Sequence, residues 1–250
     1  MTASSARPTV ACVRPVVLAL APPAPGVSHG TTLPCLETLG GSRLIERLLG
    51  TLAEVGLPSA VVVAPHDAVT TLRAVLGDRC QVIGSSGDRR EALTAALGAA
   101  DDELLLLHDA ERALTPASTI SEVLSALDAE TDAVLPVVAM TDSVKDARPG
   151  GLRNIDRSTV VGMQSPRLLR REILESSLAR PLHETAPDSA HGAGHFDEIL
   201  AALGNGAAVR TVHGSHSGFA VVDRLSLWQA QISLGLARDT SHRYGLARRA

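Results

Sequence analysis

Aromatic residues are nearly missing from this chain: two Phe, one Tyr and one Trp in 250 residues. Any core must therefore be built from Leu, Val, Ile and Ala, and a hydrophobic content of 45% is enough to build one. Lysine is scarcer still. Lys145 is the only one, against 22 arginines, a background preference for Arg, so a lysine lost by drift should reappear as Arg. The three cysteines, Cys12, Cys35 and Cys80, are odd in number and widely spaced. They form neither a metal pattern nor a disulfide framework, and a reducing cytoplasm is the simplest setting. No apolar run is long enough to span a membrane, and the opening MTASSARPTVACVRP lacks the apolar segment of a signal peptide. With a net charge of -4, no basic surface for nucleic acid is expected.

What is present is alternation. Short continuous apolar runs at Pro15–Leu20, Ala60–Ala64, Cys80–Ile83, Glu103–Leu107 and Ala133–Val138 read as buried strands. Between them, Leu44–Val55, Val69–Leu76, Arg90–Ala100 and Pro116–Leu127 carry apolar residues at helical spacing, with Thr115 a candidate N-cap. Strands alternating with helices predict an α/β fold with a mostly parallel sheet covered on both faces. After Val138 the pattern changes. Thr141 to Ser165 reads as a hairpin-like arm around Pro149–Gly151, Arg167–Leu178 as helix, 182–195 as loop and Phe196–Leu203 as helix. Ala208–Val212 and Phe219–Val222 read as strands, and Leu225–Leu236 as the last helix. The expected organisation is a tail over 1–14, one domain over 15–237 and a second tail over 238–250.

In such a sheet, ligands bind beyond the carboxyl ends of the strands. The rim would hold Ala21–Gly30, Ala64–Asp67, Gly84–Arg90 and His108–Arg112. Its first loop, LALAPPAPGVSHG, sits where a backbone cradle for phosphate is usually placed. Pro22, Pro23 and Pro25 have no N–H to offer such a cradle. The loop contains no Lys or Arg, which leaves Gly26, Gly30 and His29 as its candidate donors.

The order of short motifs resembles the 2-C-methyl-D-erythritol 4-phosphate cytidylyltransferase family over about Val16 to Leu236. Leu39-Gly40-Gly41 is similar to its Leu-Gly-Gly, and His108-Asp109-Ala110-Glu111-Arg112-Ala113 to its His-Asp-Ala-Ala-Arg-Pro. Asp142-Ser143-Val144-Lys145 is similar to Asp-Thr-(hydrophobic)-Lys, Arg157 followed by Ser165-Pro166-Arg167 to the arm Arg and Thr-Pro-Gln, and Phe196-Asp197-Glu198-Ile199 to Thr-Asp-Glu-Ala. The resemblance implies a three-layer α/β/α Rossmann-like nucleotidyltransferase fold with a β-arm, a homodimer through that arm, and a cytoplasmic enzyme. The implied reaction is attack of an acceptor phosphate on the α-phosphorus of CTP, with release of pyrophosphate and the help of Mg2+. It further implies nucleotide contacts from Gly26, Gly30, Arg89, Asp109 and Arg112, with Asp109 also a magnesium candidate. The phosphorylated polyol would meet Asp142, Lys145, Arg157 and Ser165, with Lys145 and Arg157 as the catalytic cations.

Three family cations are absent. The Gly-rich loop has no basic residue, Leu33-Pro34-Cys35 replaces the Pro-Lys-Gln element, and Gly218-Phe219-Ala220-Val221 replaces a segment with a lysine near the carboxyl end. Arg stands in none of these places. The base-recognition Gly-Gly pair is replaced by Ser85-Ser86, and its downstream Ser by Ala92, while Arg89 remains. Losing one group that stabilises transition-state charge costs about 10²–10³ in rate. Three readings follow. The first is a divergent family protein, impaired or inactive in CTP-dependent transfer, serving as a binding or regulatory protein. The second is an active nucleotidyltransferase in which His29, Arg14 or a partner-chain Arg supplies charge. The third is an unrelated binding protein that shares only the fold. Asp197 and Glu198 are expected to be helix N-terminal acids.

Overall fold

Continuous apolar runs become the central strands of an eight-stranded sheet in the computed structural model, which describes residues 12–23, 33–148, 150–180 and 196–236. The strands are β1 (Val13–Leu18), β4 (Val61–Pro65), β5 (Gln81–Ser85), β6 (Leu104–Asp109), β7 (Ala133–Ala139), β10 (Val161–Met163), β11 (Arg167–Arg170) and β12 (Val209–His213). Two short strands, β2 (Thr38–Leu39) and β3 (Ser42–Arg43), pair with each other, as do β8 (Val144–Arg148) and β9 (Gly151–Ile155). The sheet order is β10-β7-β11-β6-β1-β4-β5, with β12 also against β7. β1 runs parallel to β4 and β6, β4 to β5, and β12 to β7, while β10 and β11 are antiparallel to their neighbours.

The helices are α1 (Leu44–Glu54), α2 (Val69–Leu76), α3 (Arg89–Ala99), α4 (Ala117–Ala126), α5 (Arg171–Ala179), α6 (Glu198–Gly204) and α7 (Arg224–Ser233). Side chains alternate across a strand, so β1 sends Val13 and Val17 to one face and Val16 and Leu18 to the other. The first face packs on Leu44, Leu48 and Leu52 of α1, Leu72 of α2 and Ile120 of α4. The second packs on Leu93 and Ala96 of α3, Leu174 of α5 and Ile199 of α6. Two helical layers thus enclose the sheet, as expected. Burying each such Leu stabilises by about 1.5–3 kcal/mol.

Several expectations are corrected. β1 begins at Val13, so residues 13 and 14 do not belong to a tail; residues 1–11 and 238–250 of the two tails, the 182–195 loop, Pro25, Gly26, His29 and Gly30 lie outside the described residues. Arg167–Leu178 is not all helix. Its first four residues form β11, wedged between β6 and β7, and a four-residue strand with two leucines carries no period that separates it from the helix it leads into. Phe219–Val222 is not a strand; it passes the site, where the Val221 N–H donates to Glu111 O at 2.8 Å. Thr115 does not cap α4: Pro116 is the cap residue, and the Thr115 hydroxyl donates to Arg112 O at 2.9 Å. The hairpin of the arm is present as β8 and β9.

Candidate active site

Two registers build the rim. In the parallel pair of β1 and β6, Leu18 stands opposite Asp109, so the loop that leaves β1 meets the turn that leaves β6. In the antiparallel pair of β11 and β6, Arg167 stands opposite Leu107; two positions further along, Ser165 faces Asp109. The Ser165 hydroxyl donates to Asp109 Oδ2 at 2.6 Å, and the Asp109 N–H donates to Ser165 Oγ at 3.2 Å. Ser165, assigned by resemblance to the acceptor, is therefore a partner of the nucleotide-side acid.

Arg89 opens α3. Gly87, at a φ of +95°, turns the chain between β5 and α3, and the Asp88 carboxylate then caps the helix by accepting the N–H groups of Arg90 (2.8 Å) and Glu91 (3.1 Å). From that position the Arg89 guanidinium donates through Nη1 to Asp109 Oδ1 at 2.7 Å. Its Nε and Nη2 grip Glu198 Oε2 and Oε1 at 2.8 and 2.7 Å. Arg167 Nη1 donates to Glu198 Oε1 at 2.8 Å and Asp197 Oδ2 at 3.0 Å. Asp197 is the expected helix acid, accepting the N–H groups of Ile199 and Leu200. Glu198 also stands in the first turn of α6 as expected, but it is fully buried and its carboxylate joins the two arginines. Burial alone would raise the Asp109 carboxyl, but the Arg89 charge and the Ser165 hydroxyl hold it well below the usual range. Glu198 is likewise held down by Arg89 and Arg167 against the cost of its burial. Burial opposes the charge on both arginines, and the facing carboxylates outweigh it.

The rim thus brings together Arg89, Asp109 and Ser165. Arg112 lies beside them, with its Nε 3.8 Å from Asp109 Oδ2 and its Nη1 donating to Gly218 O at 2.7 Å. Burial lowers the Arg112 guanidinium somewhat. Asp109, Asp197 and Glu198 are matched in this network by Arg89, Arg167 and Arg112. Both oxygens of Asp109 are engaged, and among the described residues no group of three His, Cys, Asp or Glu could hold a metal. A magnesium ion on Asp109 would have to share its oxygens with the Ser165 hydroxyl and with the Arg89 guanidinium, whose positive charge opposes it, so these residues do not fit it.

Two further buried groups stand at the end of β6. His108 Nδ1 lies 3.0 Å from Asp109 O, its Nε2 has no partner among the described residues, and burial lowers its pKa to about 4. Glu111, 5% exposed, accepts the Ala21 N–H at Oε1 (3.2 Å). Burial, reinforced by the Asp109 charge, raises its pKa to about 7. Sequence reasoning sees Glu111 only as a mismatch in a motif and gives Arg167 no role. Their partners are distant in the chain, and no local pattern announces them.

A cavity of about 480 Å³ opens beside the rim, lined by Leu20, Pro22, Pro23, Leu36, Pro65 and Ser86 among others. That is within the size range of small-ligand pockets. No Lys or Arg is among its described lining residues, and the sequence has none between Arg14 and Arg43. Arg14 is not a substitute. It lies at the opposite, amino end of β1, where its Nε donates to Asp102 Oδ2 at 2.8 Å and its Nη1 to Ser59 O at 3.0 Å.

The acceptor-side residues have their partners within the arm. Lys145 on β8 donates to Asn154 Oδ1 across the hairpin at 2.6 Å, and Arg157 Nη1 donates to Thr141 O at 2.6 Å. Asp142 is exposed. Arg157 also borders a pocket of about 370 Å³ with Met140, Thr141 and Ser158. Among the described residues, no hydrogen bond or ion pair joins Lys145 or Arg157 to Asp109.

Comparison with known proteins agrees with this architecture. The family model for 2-C-methyl-D-erythritol 4-phosphate cytidylyltransferase matches residues 30–235. The protein of that name from Rhodococcus jostii (strain RHA1) is 30% identical over 217 residues, which span 84% of this chain and 92% of the relative. One from Frankia casuarinae is 31% identical over 210 residues, 82% of this chain and 75% of the relative. Among solved structures, 4-diphosphocytidyl-2C-methyl-D-erythritol synthase from Anaerococcus prevotii superposes with a TM-score of 0.73 at 18% identity, covering 91% of this chain and 100% of that one. The 2-C-methyl-D-erythritol 4-phosphate cytidylyltransferase from Thermus thermophilus gives a TM-score of 0.69 at 19% identity, covering 88% and 98%.

Proposed function

The chain belongs to the 2-C-methyl-D-erythritol 4-phosphate cytidylyltransferase family, and from that premise we propose that it is a divergent member impaired or inactive in CTP-dependent transfer. It keeps the fold, the arm and an acceptor-side surface as a cytoplasmic, homodimeric binding or regulatory protein. The observation that carries this reading is Arg89. A nucleotidyl transfer site needs cations free to meet phosphate charge as it develops. Here the one arginine retained from the base-recognition element spends its donors on Asp109 and Glu198, and the first rim loop contains no Lys or Arg. Calorimetric titration of the chain with CTP and Mg2+, repeated with ATP, tests this. No heat up to millimolar nucleotide is expected, and micromolar CTP binding would defeat the reading.

A second reading is favoured by the arm. Among the described residues, Lys145 meets a neutral amide oxygen and Arg157 a backbone carbonyl, so both keep their charge for an anionic ligand. In an active enzyme they would face the phosphate of 2-C-methyl-D-erythritol 4-phosphate or another polyol phosphate. An oxygen of that phosphate would bond to the α-phosphorus of CTP as the bond to pyrophosphate breaks. Pyrophosphate release on mixing CTP, Mg2+ and methylerythritol phosphate would establish this reading over the first.

A further inference from the structure

None of the ion pairs at the rim, among the described residues, includes Glu111. Its carboxylate is nevertheless fixed. Oε1 accepts the Ala21 N–H, and its backbone carbonyl accepts the Val221 N–H at 2.8 Å. The side chain therefore lies against the loop that leaves β1, the place where an α/β sheet offers backbone donors to an anion. Among the described residues of that loop, few donors are left to offer. The Ala19 N–H is committed to Val63 O at 2.9 Å, that of Ala21 to Glu111, and Pro22 and Pro23 have none.

We propose that Glu111 sets the charge selectivity of this site: its carboxylate occupies the position at the β1 loop that a phosphate oxygen would take, and so keeps polyphosphate anions out. The proposal rests on the reading of the site as one that has lost its hold on the CTP triphosphate, and it names the residue that enforces the loss. Like charges held close in a partly buried site repel far more strongly than in water. The groups facing Glu111 fix how this varies with pH. Asp109, at the end of β6, adds repulsion, while Arg89 from α3 and Arg112 from the same turn act against it. Cys35, in the turn Pro34–Leu36, is a thiol pushed up by burial and further by Glu111 itself. With its pKa raised to about 7, Glu111 is charged in mild alkali and largely neutral in mild acid, so exclusion is strongest at high pH.

The test is calorimetric titration of the whole chain with inorganic pyrophosphate at pH 8 and pH 6, as wild type, Glu111→Gln, Glu111→Ala and Glu111→Asp. The Gln variant keeps the shape and the acceptor for Ala21 but not the charge. It is expected to bind at least tenfold tighter than wild type at pH 8, with Glu111→Asp showing no gain. Wild type should approach the Gln variant at pH 6, and this comparison cancels the titration of pyrophosphate itself. Equal affinity in wild type and Gln variant, or no binding by any form, would overturn the proposal. So would a gain confined to Glu111→Ala, because bulk and not charge would then be excluding the anion. Thermal melting shows which variants are folded. If Glu111→Gln is not, the wild-type affinities at the two pH values decide: no tightening at pH 6 beyond that of pyrophosphate with a simple cation would overturn the proposal. CTP turnover by the wild type would defeat the reading of an impaired enzyme, yet leave the difference between wild type and Gln variant to be read independently.

Discussion

Arg89 grips Glu198 at two points, Nε to Oε2 at 2.8 Å and Nη2 to Oε1 at 2.7 Å, although the two residues are 109 positions apart in the chain. The pair ties α3 to α6 across one face of the sheet. Because Glu198 is fully buried, removing Arg89 leaves its carboxylate with only Arg167 to answer it. Breaking a buried pair from one side costs about 3–5 kcal/mol. Arg89→Ala is therefore expected to lose stability on that scale in chemical denaturation. Replacing Arg89 and Glu198 together by apolar residues of similar volume should cost clearly less than the two single losses combined, which a double-mutant cycle measures.

Ser165→Ala should cost about 1.5–3 kcal/mol, the range for a hydrogen bond to a charged group. The hydroxyl both donates to Asp109 Oδ2 and accepts the Asp109 N–H. Its loss should also raise the Asp109 carboxyl toward its ordinary value, so acid unfolding of the variant should begin at a higher pH than in wild type.

Glu111 and His108 give opposing pH dependences. Glu111 has a folded pKa of about 7 against an ordinary value of 4.5, so the folded chain holds its proton more tightly, and the associated stability is lost as pH rises from 4.5 to 7. His108 has a folded pKa of about 4 against 6.5, so its contribution is present above 6.5 and lost as pH falls toward 4. Each arm is worth at most roughly 3 kcal/mol, and in wild type they largely cancel. Glu111→Gln should expose the rise in stability with pH, and His108→Asn the fall. Denaturation midpoints at half-unit pH steps would show both; parallel curves for wild type and Glu111→Gln would contradict the assignment.

The arm should behave differently. Lys145 is exposed, and its partner across the hairpin is Asn154. Lys145→Ala is expected to change stability by no more than about 0.5 kcal/mol, as exposed substitutions usually do. If the arm meets a phosphorylated ligand, the same variant should lose affinity for methylerythritol phosphate without a change in melting temperature.

Much of the scaffold is readable from the chain alone. The range Val69–Leu76 matches its helix at both ends, and the strands over Ala60–Ala64 and Ala133–Val138 shift by a single residue at most at each end. These elements are set by local periodicity and by apolar runs that must be buried on both faces. β11 is hidden because Arg167–Arg170 has too few apolar residues to show a period before α5 begins. The segment Phe219–Val222 reads as a strand, yet its apolar run serves to fill the core at Val221 and not to pair. At the site, the resemblance of motifs points to Arg89, Asp109, Arg112 and Ser165, but it divides them between two ligands, whereas Ser165 and Asp109 bond to each other.

The sequence by itself determined the alternation of elements, the shortage of cations in the first rim loop and the membership of a family, because periodicity, composition and motif order are properties of the chain read in line. Only the tertiary structure decided where the remaining charges are spent. Ser165 reaches Asp109 through an antiparallel register, Glu111 reaches Ala21 through a parallel one, and Arg89 and Arg167 converge on Glu198 across the helical layer. Electrostatic interactions depend on separation in space and on burial, and neither is fixed until strands from distant parts of the chain lie side by side.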